Sequence, residues 1–171
     1  MLLNLILLVV IIFLLFLLSM VWPPDSPWSP WWRTSKRVAK RALSLVNLSD
    51  KDIIYELGSG EGIVLITAAK EFGAMGVGIE IDPLRFYISK FLVWKNGLGK
   101  KIKLKRGNFF EADISSASVV FVYLVPKAIN KLLPKFKKEL KKGTKIISCK
   151  YEIDLPILKE DKKNKIRVYV I

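Results

Sequence analysis

Glu56-Leu57-Gly58-Ser59-Gly60-Glu61-Gly62 follows the β-branched run Ile53-Ile54-Tyr55 and precedes an apolar helical pattern over 63–72. A strand, a glycine turn and a helix in this order form a pocket for an adenosine-containing cofactor. Glycine lets the backbone approach the ligand, and the helix N-terminus offers unpaired N–H groups. Nicotinamide and flavin sites read G-x-G-x-x-G, whereas Ile63 stands where that pattern needs its third glycine. An ordinary βα turn is the alternative, so the neighbouring segments decide.

A second acidic strand end follows along the chain. The run 77–81 is apolar except for Glu80, which lies roughly 20 residues beyond the glycines, where a carboxylate can accept hydrogen bonds from both ribose hydroxyls. Asp82 and Pro83 form a good N-cap and first-turn pair, which predicts a helix through about Trp94. Two strand ends thus carry the groups that an adenosine cofactor needs.

An acidic residue before G-x-G-x-G resembles motif I of the class I S-adenosylmethionine-dependent methyltransferases. Gly107-Asn108-Phe109 follows a third predicted strand and resembles the methyltransferase segment whose Asp or Asn meets the adenine amino group. The resemblance implies S-adenosyl-L-methionine as the cofactor. It implies the following cofactor-binding residues: Glu56, Gly58, Ser59, Gly60, Gly62, Glu80, Asn108 and Phe109.

The N-terminus is apolar from residue 2 to residue 21 except for Asn4 and Ser19, with no charge before Asp25. About 20 helical residues cross a hydrocarbon core of roughly 30 Å, so the run predicts a transmembrane helix. A cleaved signal peptide is the alternative, but the chain offers no basic n-region and no A-x-A cleavage pattern. We expect a retained, single-pass anchor over 1–22.

The segment 23–34 is rich in proline and tryptophan, which predicts a stiff spacer that keeps the following domain near the bilayer. Trp22, Trp28, Trp31 and Trp32 are expected in the headgroup layer. Basic residues follow the span and none precedes it, so the positive-inside rule predicts a catalytic domain, 35–171, on the cytosolic side.

The chain has 29 Lys and Arg against 15 Asp and Glu, a net charge of +14. An anionic lipid surface, nucleic acid or an acidic protein could each match this charge. The lysine-rich tract 131–145 carries one aromatic residue, Phe136, whereas interleaved aromatics would favour RNA. Attraction to anionic headgroups is therefore the favoured interpretation, and nucleic acid is the less favoured one.

The sequence contains no histidine and one cysteine, Cys149. The lack of histidine excludes a His general base, a Ser-His-Asp triad and the usual zinc sites, and no other metal-ligand cluster is visible. A single cysteine forms no intramolecular disulfide, which suits a reducing compartment, and its apolar strand predicts a packing role.

The pattern predicts an α/β domain with a mostly parallel sheet and helices on both faces. The tail predicts an antiparallel C-terminal hairpin, with strands over 151–158 and 166–171 joined by a charged loop, 159–165. Pro126 and Pro134 predict two short helices within 126–142. Other helices are expected over 35–46, 62–72 and 83–95, and strands near 52–57, 76–81, 101–106, 118–124 and 144–150. This arrangement resembles a Rossmann-like class I methyltransferase sheet, and we expect one transmembrane helix before it.

A narrower resemblance covers about residues 27–171. The chain is similar to the small, membrane-anchored protein-lysine methyltransferases that modify the adenine nucleotide carrier and the ATP synthase c-subunit, and to their prokaryotic relatives. The match rests on motif I and on the segments 30–34, 78–83 and 119–126, and it adds Thr34 to the cofactor-binding residues. Glu56 departs from the usual Asp, and Ser118 stands where an acidic residue often begins the fourth strand.

The resemblance implies methyl transfer to a lysine of a membrane-associated protein. RNA methylation, lipid or quinone methylation, and an inactive cofactor-binding scaffold remain alternatives. Methyl transfer to an amine requires a positioned and neutral nucleophile. Candidate catalytic residues near the methyl group are Tyr123 and Asp113, with Phe109 and Phe110 as walls.

Overall fold

A computed structural model describes residues 2–21 and 32–171 of the chain. Trp22 and most of the predicted spacer, including Trp28, Trp31 and its four prolines, lie outside the described residues. The elements, in chain order, are α1 (Leu2–Val21), α2 (Lys36–Leu45), β1 (Ile53–Leu57), α3 (Ile63–Glu71), β2 (Met75–Glu80), α4 (Pro83–Lys95), β3 (Ile102–Arg106), β4 (Val119–Val122), α5 (Pro126–Glu139), β5 (Lys145–Cys149), β6 (Ile157–Asp161) and β7 (Ile166–Val170).

The strands form one sheet in the order β3-β2-β1-β4-β5-β7-β6. Strands β1 to β5 run parallel, while β7 is antiparallel to β5 and to β6. The predicted Rossmann-like sheet with an antiparallel C-terminal hairpin is therefore confirmed. The strand order reverses between β1 and β4, and ligands of such sheets bind in the crevice at that switch point, beyond the carboxyl ends of the strands.

Successive residues of the strands point to opposite faces of the sheet and contribute to two apolar clusters, one on each face. Ile54 and Phe121 pack on one face against α2, α3 and α4. Leu57 and Val122 pack on the other face against α5. All four residues of β4 are buried, as expected for a strand covered on both faces. Cys149 is buried in the first cluster, where the sequence predicts a packing role.

Helix α1 has 20 residues, and its described side chains are exposed. Within residues 2–21 and 32–171, no helix meets the combined length and hydropathy required to cross a membrane. The predicted transmembrane helix is therefore not supported by the structure.

The segment 126–139 is one helix, so the prediction of two short helices is wrong. Pro134 lies inside α5 and cannot donate to the carbonyl four residues earlier. The helix continues because Ile129, Leu132 and Phe136, fully buried on one face, hold both sides of the proline against the sheet. Burial of this apolar face outweighs the lost hydrogen bond.

The C-terminal hairpin is present, but its first strand lies later than predicted. Strand β6 spans Ile157–Asp161, so Lys159 and Glu160 belong to a strand rather than to the predicted loop. As the outer strand, β6 has mostly exposed side chains, and charged residues are tolerated there. Glu160 pairs with Arg167 of β7 at 2.9 Å, and the register shifts between Ile157 and Lys159.

Candidate active site

The glycine turn leaves β1 and enters α3 through left-handed backbone conformations. Gly58, Gly60 and Gly62 have φ values of 78°, 51° and 75°, which other residues adopt rarely. The N–H groups of Gly58 and Ser59 donate to the carbonyl of Ile79 at 2.9 and 3.0 Å. The turn is thereby fixed to the end of β2, close to Glu80.

Gly78 of β2 makes room for this turn. A Cβ at this position would lie 2.8 Å from the Ser59 hydroxyl oxygen, 2.7 Å from Leu65 Cδ1 and 2.8 Å from Leu104 Cδ2. A side chain here would force the side chains of Ser59, Leu65 and Leu104 to shift. Gly78 therefore allows these side chains to pack closely over β2.

A cavity of about 470 Å³ opens at the carboxyl ends of β1, β2 and β4. Most of the predicted cofactor-binding residues line it, together with the predicted catalytic residue Tyr123. The predicted residues in the lining are Thr34, Glu56, Gly58, Ser59, Gly60, Glu80, Phe109 and Tyr123. The cavity thus coincides with the switch point of the sheet.

Both oxygens of Glu80 are held by the backbone. Oε2 accepts from the Gly60 N–H at 2.7 Å, and Oε1 accepts from the Asp82 N–H at 2.9 Å. A carboxylate oxygen can accept more than one hydrogen bond, so each retains capacity for a ligand hydroxyl. Burial raises the pKa of Glu80, while the N–H groups of Asp82 and Gly60 oppose the rise.

Glu56 and Ser59 carry buried polar atoms at the cavity. Neither Glu56 Oε2 nor the Ser59 hydroxyl has a hydrogen-bond partner among the described residues. Burial raises the pKa of the Glu56 carboxyl well above its usual value of 4.5, and the neighbouring Glu80 carboxylate raises it further. Such atoms are costly unless a ligand satisfies them.

Three predicted site residues, and the predicted wall residue Phe110, are not among those that line the cavity. Gly62 is the N-cap of α3. The Asn108 side chain accepts from the Phe110 N–H at 3.1 Å and donates to Glu111 at 2.9 Å. Asp113 is exposed and accepts from the Ser115 N–H at 2.9 Å, a bond that lowers the pKa of its carboxyl. The structure therefore does not place Asp113 near the reacting atoms.

Two cavity residues have roles that sequence reasoning missed. Arg85, in the first turn of α4, is only 6% exposed and lines the cavity beside Glu80. Trp32, predicted to lie in the headgroup layer, lines the cavity and packs on Tyr123 with ring centroids 5.9 Å apart. The sequence could have indicated Arg85, because it follows the acidic end of β2 by about one helical turn. The only indication for Trp32 was its position two residues before Thr34, a predicted cofactor-binding residue.

A second cavity of about 340 Å³ adjoins the first and shares part of its wall. Arg33, Thr34, Ser35 and Tyr123 line both cavities, and Arg33 donates to Glu61 at the rim of the first. Among residues 2–21 and 32–171, no group of three or more Cys, Asp or Glu could hold a metal ion.

A doubly wound sheet, a G-x-G-x-G turn and acidic side chains at the ends of β1 and β2 define a class I methyltransferase. The family model described as the ANTKMT methyltransferase domain matches residues 56–158, more than half of the chain. The chain therefore belongs to the ANTKMT methyltransferase domain family, and the prediction that it is a methyltransferase is confirmed.

Individual relatives agree with this family. The chain is 41% identical over 121 residues to a protein-lysine N-methyltransferase of Saccharolobus islandicus, a match that covers 70% of this chain and 75% of that protein. It is 29% identical over 116 residues to the Caenorhabditis elegans lysine N-methyltransferase that is named for the c-subunit of ATP synthase, covering 66% of this chain and 60% of that one. An RNA methyltransferase from Salinibacter ruber, solved with S-adenosyl-L-homocysteine, superimposes with a TM-score of 0.79 at 34% identity, covering 82% of this chain and 94% of that one.

Proposed function

We propose that this methyltransferase transfers a methyl group from S-adenosyl-L-methionine to the ε-amine of a lysine in a protein. The predicted cofactor is confirmed at the level of the family, since the Salinibacter relative was solved with S-adenosyl-L-homocysteine, the product of S-adenosyl-L-methionine after methyl transfer. The lysine acceptor is supported by the Saccharolobus and Caenorhabditis relatives, which are both named as lysine methyltransferases.

The buried, unsatisfied atoms of Glu56 and Ser59 are the observation that carries the cofactor placement. The Glu56 carboxylate would hold the positively charged amino end of the cofactor, and Glu80 would accept from its ribose hydroxyls. The backbone of the glycine turn passes beside these groups, and the Phe109 ring supplies an apolar wall. The residues present therefore fit the group that the family implies.

When bound, S-adenosyl-L-methionine supplies an electrophilic methyl group on a sulfonium, so the protein must deliver a neutral amine to it. Deprotonating a free lysine of pKa about 10.4 costs roughly 4.6 kcal/mol at pH 7. Burial raises the pKa of Tyr123, so its phenol stays protonated at neutral pH and cannot serve as the base. We infer that desolvation beside Tyr123 lowers the pKa of the incoming amine, and that Tyr123 positions it.

RNA methylation is the second candidate, and two observations favour it. The Salinibacter relative is named as an RNA methyltransferase, and the net charge of +14 would suit a phosphate backbone. Attraction between basic residues and phosphates does not by itself recognise a base. A lysine acceptor needs only an apolar, aromatic entrance to the site, so lysine is the favoured acceptor.

Incubation with labelled S-adenosyl-L-methionine and separate protein, RNA and lipid fractions tests the assignment, with Glu80→Gln as the matched control. We expect label on lysine of the protein fraction, lost on protease treatment and strongly reduced for the variant. Label removed by ribonuclease would establish the RNA alternative, and label in the organic extract the lipid or quinone one. Cofactor binding without transfer to any fraction would indicate a scaffold.

We also propose, from the sequence, that residues 2–21 attach the protein to a membrane and that the methyltransferase domain faces the cytosol. Support comes from the exposed apolar side chains of α1, which include Leu2, Phe16 and Leu18, and from the basic residues that follow it. The basic surface would add attraction to anionic lipid headgroups. Extraction by alkaline carbonate would contradict stable insertion, and digestion of the domain by protease outside intact cells would contradict the orientation.

Membrane attachment predicts a preference for membrane proteins as substrates. Confinement near the bilayer raises the effective concentration of such substrates without new contacts. Deletion of residues 1–24 should leave activity on a short lysine peptide nearly unchanged and reduce methylation of membrane-embedded proteins. Equal loss on both substrates would contradict this role.

A further inference from the structure

Aromatic side chains lie where the two cavities adjoin. Tyr123 lines both cavities, and Trp32 lines the first. The Trp32 ring packs on Tyr123 at an interplanar angle of 54° and is 43% exposed at the entrance. An acceptor side chain that enters through the second cavity would therefore pass Tyr123 and meet Trp32 where the first cavity begins.

A cation of the chain itself already occupies this surface. The ammonium of Lys150 lies 3.2 Å from the centroid of the Trp32 ring and 5.2 Å from that of Tyr151. Aromatic faces attract ammonium groups, and they attract them more strongly where water is excluded. The chemistry that holds Lys150 is the chemistry that would recognise a substrate lysine.

The backbone at Lys150 is arranged to aim this side chain. Lys150 has a φ of 72°, a left-handed conformation that non-glycine residues rarely adopt. Its N–H donates to the carbonyl of Lys165 at 2.7 Å, which anchors it to the C-terminal hairpin. An unfavourable conformation held by its surroundings, directly after β5 at the ligand edge of the sheet, points to a functional position.

Resting on the proposed function, we propose that Trp32, Tyr123 and Tyr151 form the binding site for the substrate lysine, and that Lys150 is a resident surrogate that the substrate displaces. The incoming ammonium replaces that of Lys150 over Trp32. It then releases its proton to solvent water as it moves past Tyr123, where loss of water favours the neutral amine. Lys150 thereby competes with the substrate and sets its apparent affinity.

Two substitutions act in opposite directions on this site. Lys150→Met removes the competing cation and keeps the chain length, so the KM for a lysine peptide should fall about 3- to 10-fold with little change in kcat. Trp32→Leu removes the aromatic face and should raise that KM about 10-fold, while Trp32→Phe should recover part of the loss. Lys163→Met, in the exposed hairpin turn, controls for the loss of one positive charge and should leave the KM unchanged.

Calorimetry with S-adenosyl-L-homocysteine separates this inference from the proposed function and verifies folding. Lys150 does not line the cofactor cavity, so Lys150→Met should bind the product with unchanged affinity. An unchanged or raised KM for a folded Lys150→Met variant would overturn the surrogate role, and an unchanged KM for Trp32→Leu would overturn the aromatic site. Wild-type binding of the product without methylation of any lysine peptide would instead refute the proposed function.

A peptide competition assay tests the recognition chemistry directly. A peptide with norleucine in place of the acceptor lysine has the same stem without the charge, and it should inhibit at least about 10-fold more weakly than a peptide with a trimethylated lysine. Equal inhibition by the two peptides would show that the site does not recognise a cation.

Discussion

Arg41 Nε donates to Asp161 Oδ2 at 2.6 Å and joins helix α2 to the end of β6 across 120 residues of sequence. The N–H and side-chain amide of Asn164 donate to the same carboxylate at 3.1 and 3.0 Å. These bonds, that of Arg41 foremost, lower the pKa of Asp161 to about 2. One carboxylate thus fixes both the hairpin turn and its attachment to α2.

Asp161→Asn should lower the melting temperature at neutral pH, because the folded state loses its preference for the ionised carboxylate. The lowered pKa gives stability that is present above the usual value of 3.8 and lost as pH falls towards about 2. The difference in melting temperature between wild type and variant should therefore shrink as the pH falls from 3.8 towards about 2. Thermal unfolding across pH measures it, with the exposed Asp154→Asn as control; a difference independent of pH would contradict the assignment.

Glu80→Gln should weaken binding of S-adenosyl-L-methionine by about 10- to 150-fold. The loss corresponds to about 1.5–3 kcal/mol, the usual contribution of hydrogen bonds to a charged group. Glu80 accepts hydrogen bonds from two backbone N–H groups. In the variant, the amide nitrogen, itself a donor, would face one of them. Calorimetry measures the affinity. Asp113→Asn, which removes an acidic group outside the cavity, should bind the cofactor with unchanged affinity. An equal loss of affinity in both variants would refute the placement of the ribose at Glu80.

Glu56→Gln should raise the melting temperature of the cofactor-free protein while it weakens cofactor binding. A raised pKa means that the folded state favours the neutral carboxyl, so the contribution of Glu56 to stability is full below its usual value of 4.5 and is lost as pH rises through the folded pKa. The advantage of the neutral glutamine should therefore appear only above about pH 4.5.

Melting curves from pH 4 to pH 8, with and without S-adenosyl-L-homocysteine, measure both effects of Glu56→Gln. A variant that is less stable than wild type at neutral pH without ligand would contradict the buried, uncompensated carboxyl.

Cys149 should resist alkylation in the folded protein. Burial, and to a smaller extent the charge of Glu56, raises the pKa of its thiol from 9.0 to about 12, so the thiolate is about 1000-fold rarer than in an unfolded chain at neutral pH. Iodoacetamide should label the native protein at least that much more slowly than protein in guanidinium. Rapid labelling of native protein would show that the strand end is open to solvent.

The parallel strands could be predicted to within one or two residues, because all of them except β3 are short, mainly apolar runs bounded by turn residues. Helix α5 and strand β6 could not. The burial of Phe136 overrides the helix-breaking tendency of Pro134, and the exposed position of β6 admits Lys159 into a strand. Both depend on long-range packing rather than on local sequence.

The grouping of the proposed cofactor-binding residues around one cavity could also be predicted, because Glu56, the glycines and Glu80 have fixed positions relative to consecutive strands. The proposed acceptor site could not. Trp32 and Lys150 are far apart in sequence and meet only through the fold. Asp113 lies close to Phe109 along the chain, which suggests a place at the site, whereas its side chain turns back to Ser115.

The two outer strands, β3 and β6, have a consequence for self-association. An outer strand exposes unpaired backbone groups to which another chain can add a strand. Strand β3 carries Lys103, Lys105 and Arg106, whose charges would repel an identical edge, and β6 combines the preceding Pro156 with an irregular register. Both edges are thus guarded against edge-to-edge joining of sheets, so the domain should resist strand-mediated aggregation even at the high local concentrations of a crowded cellular surface.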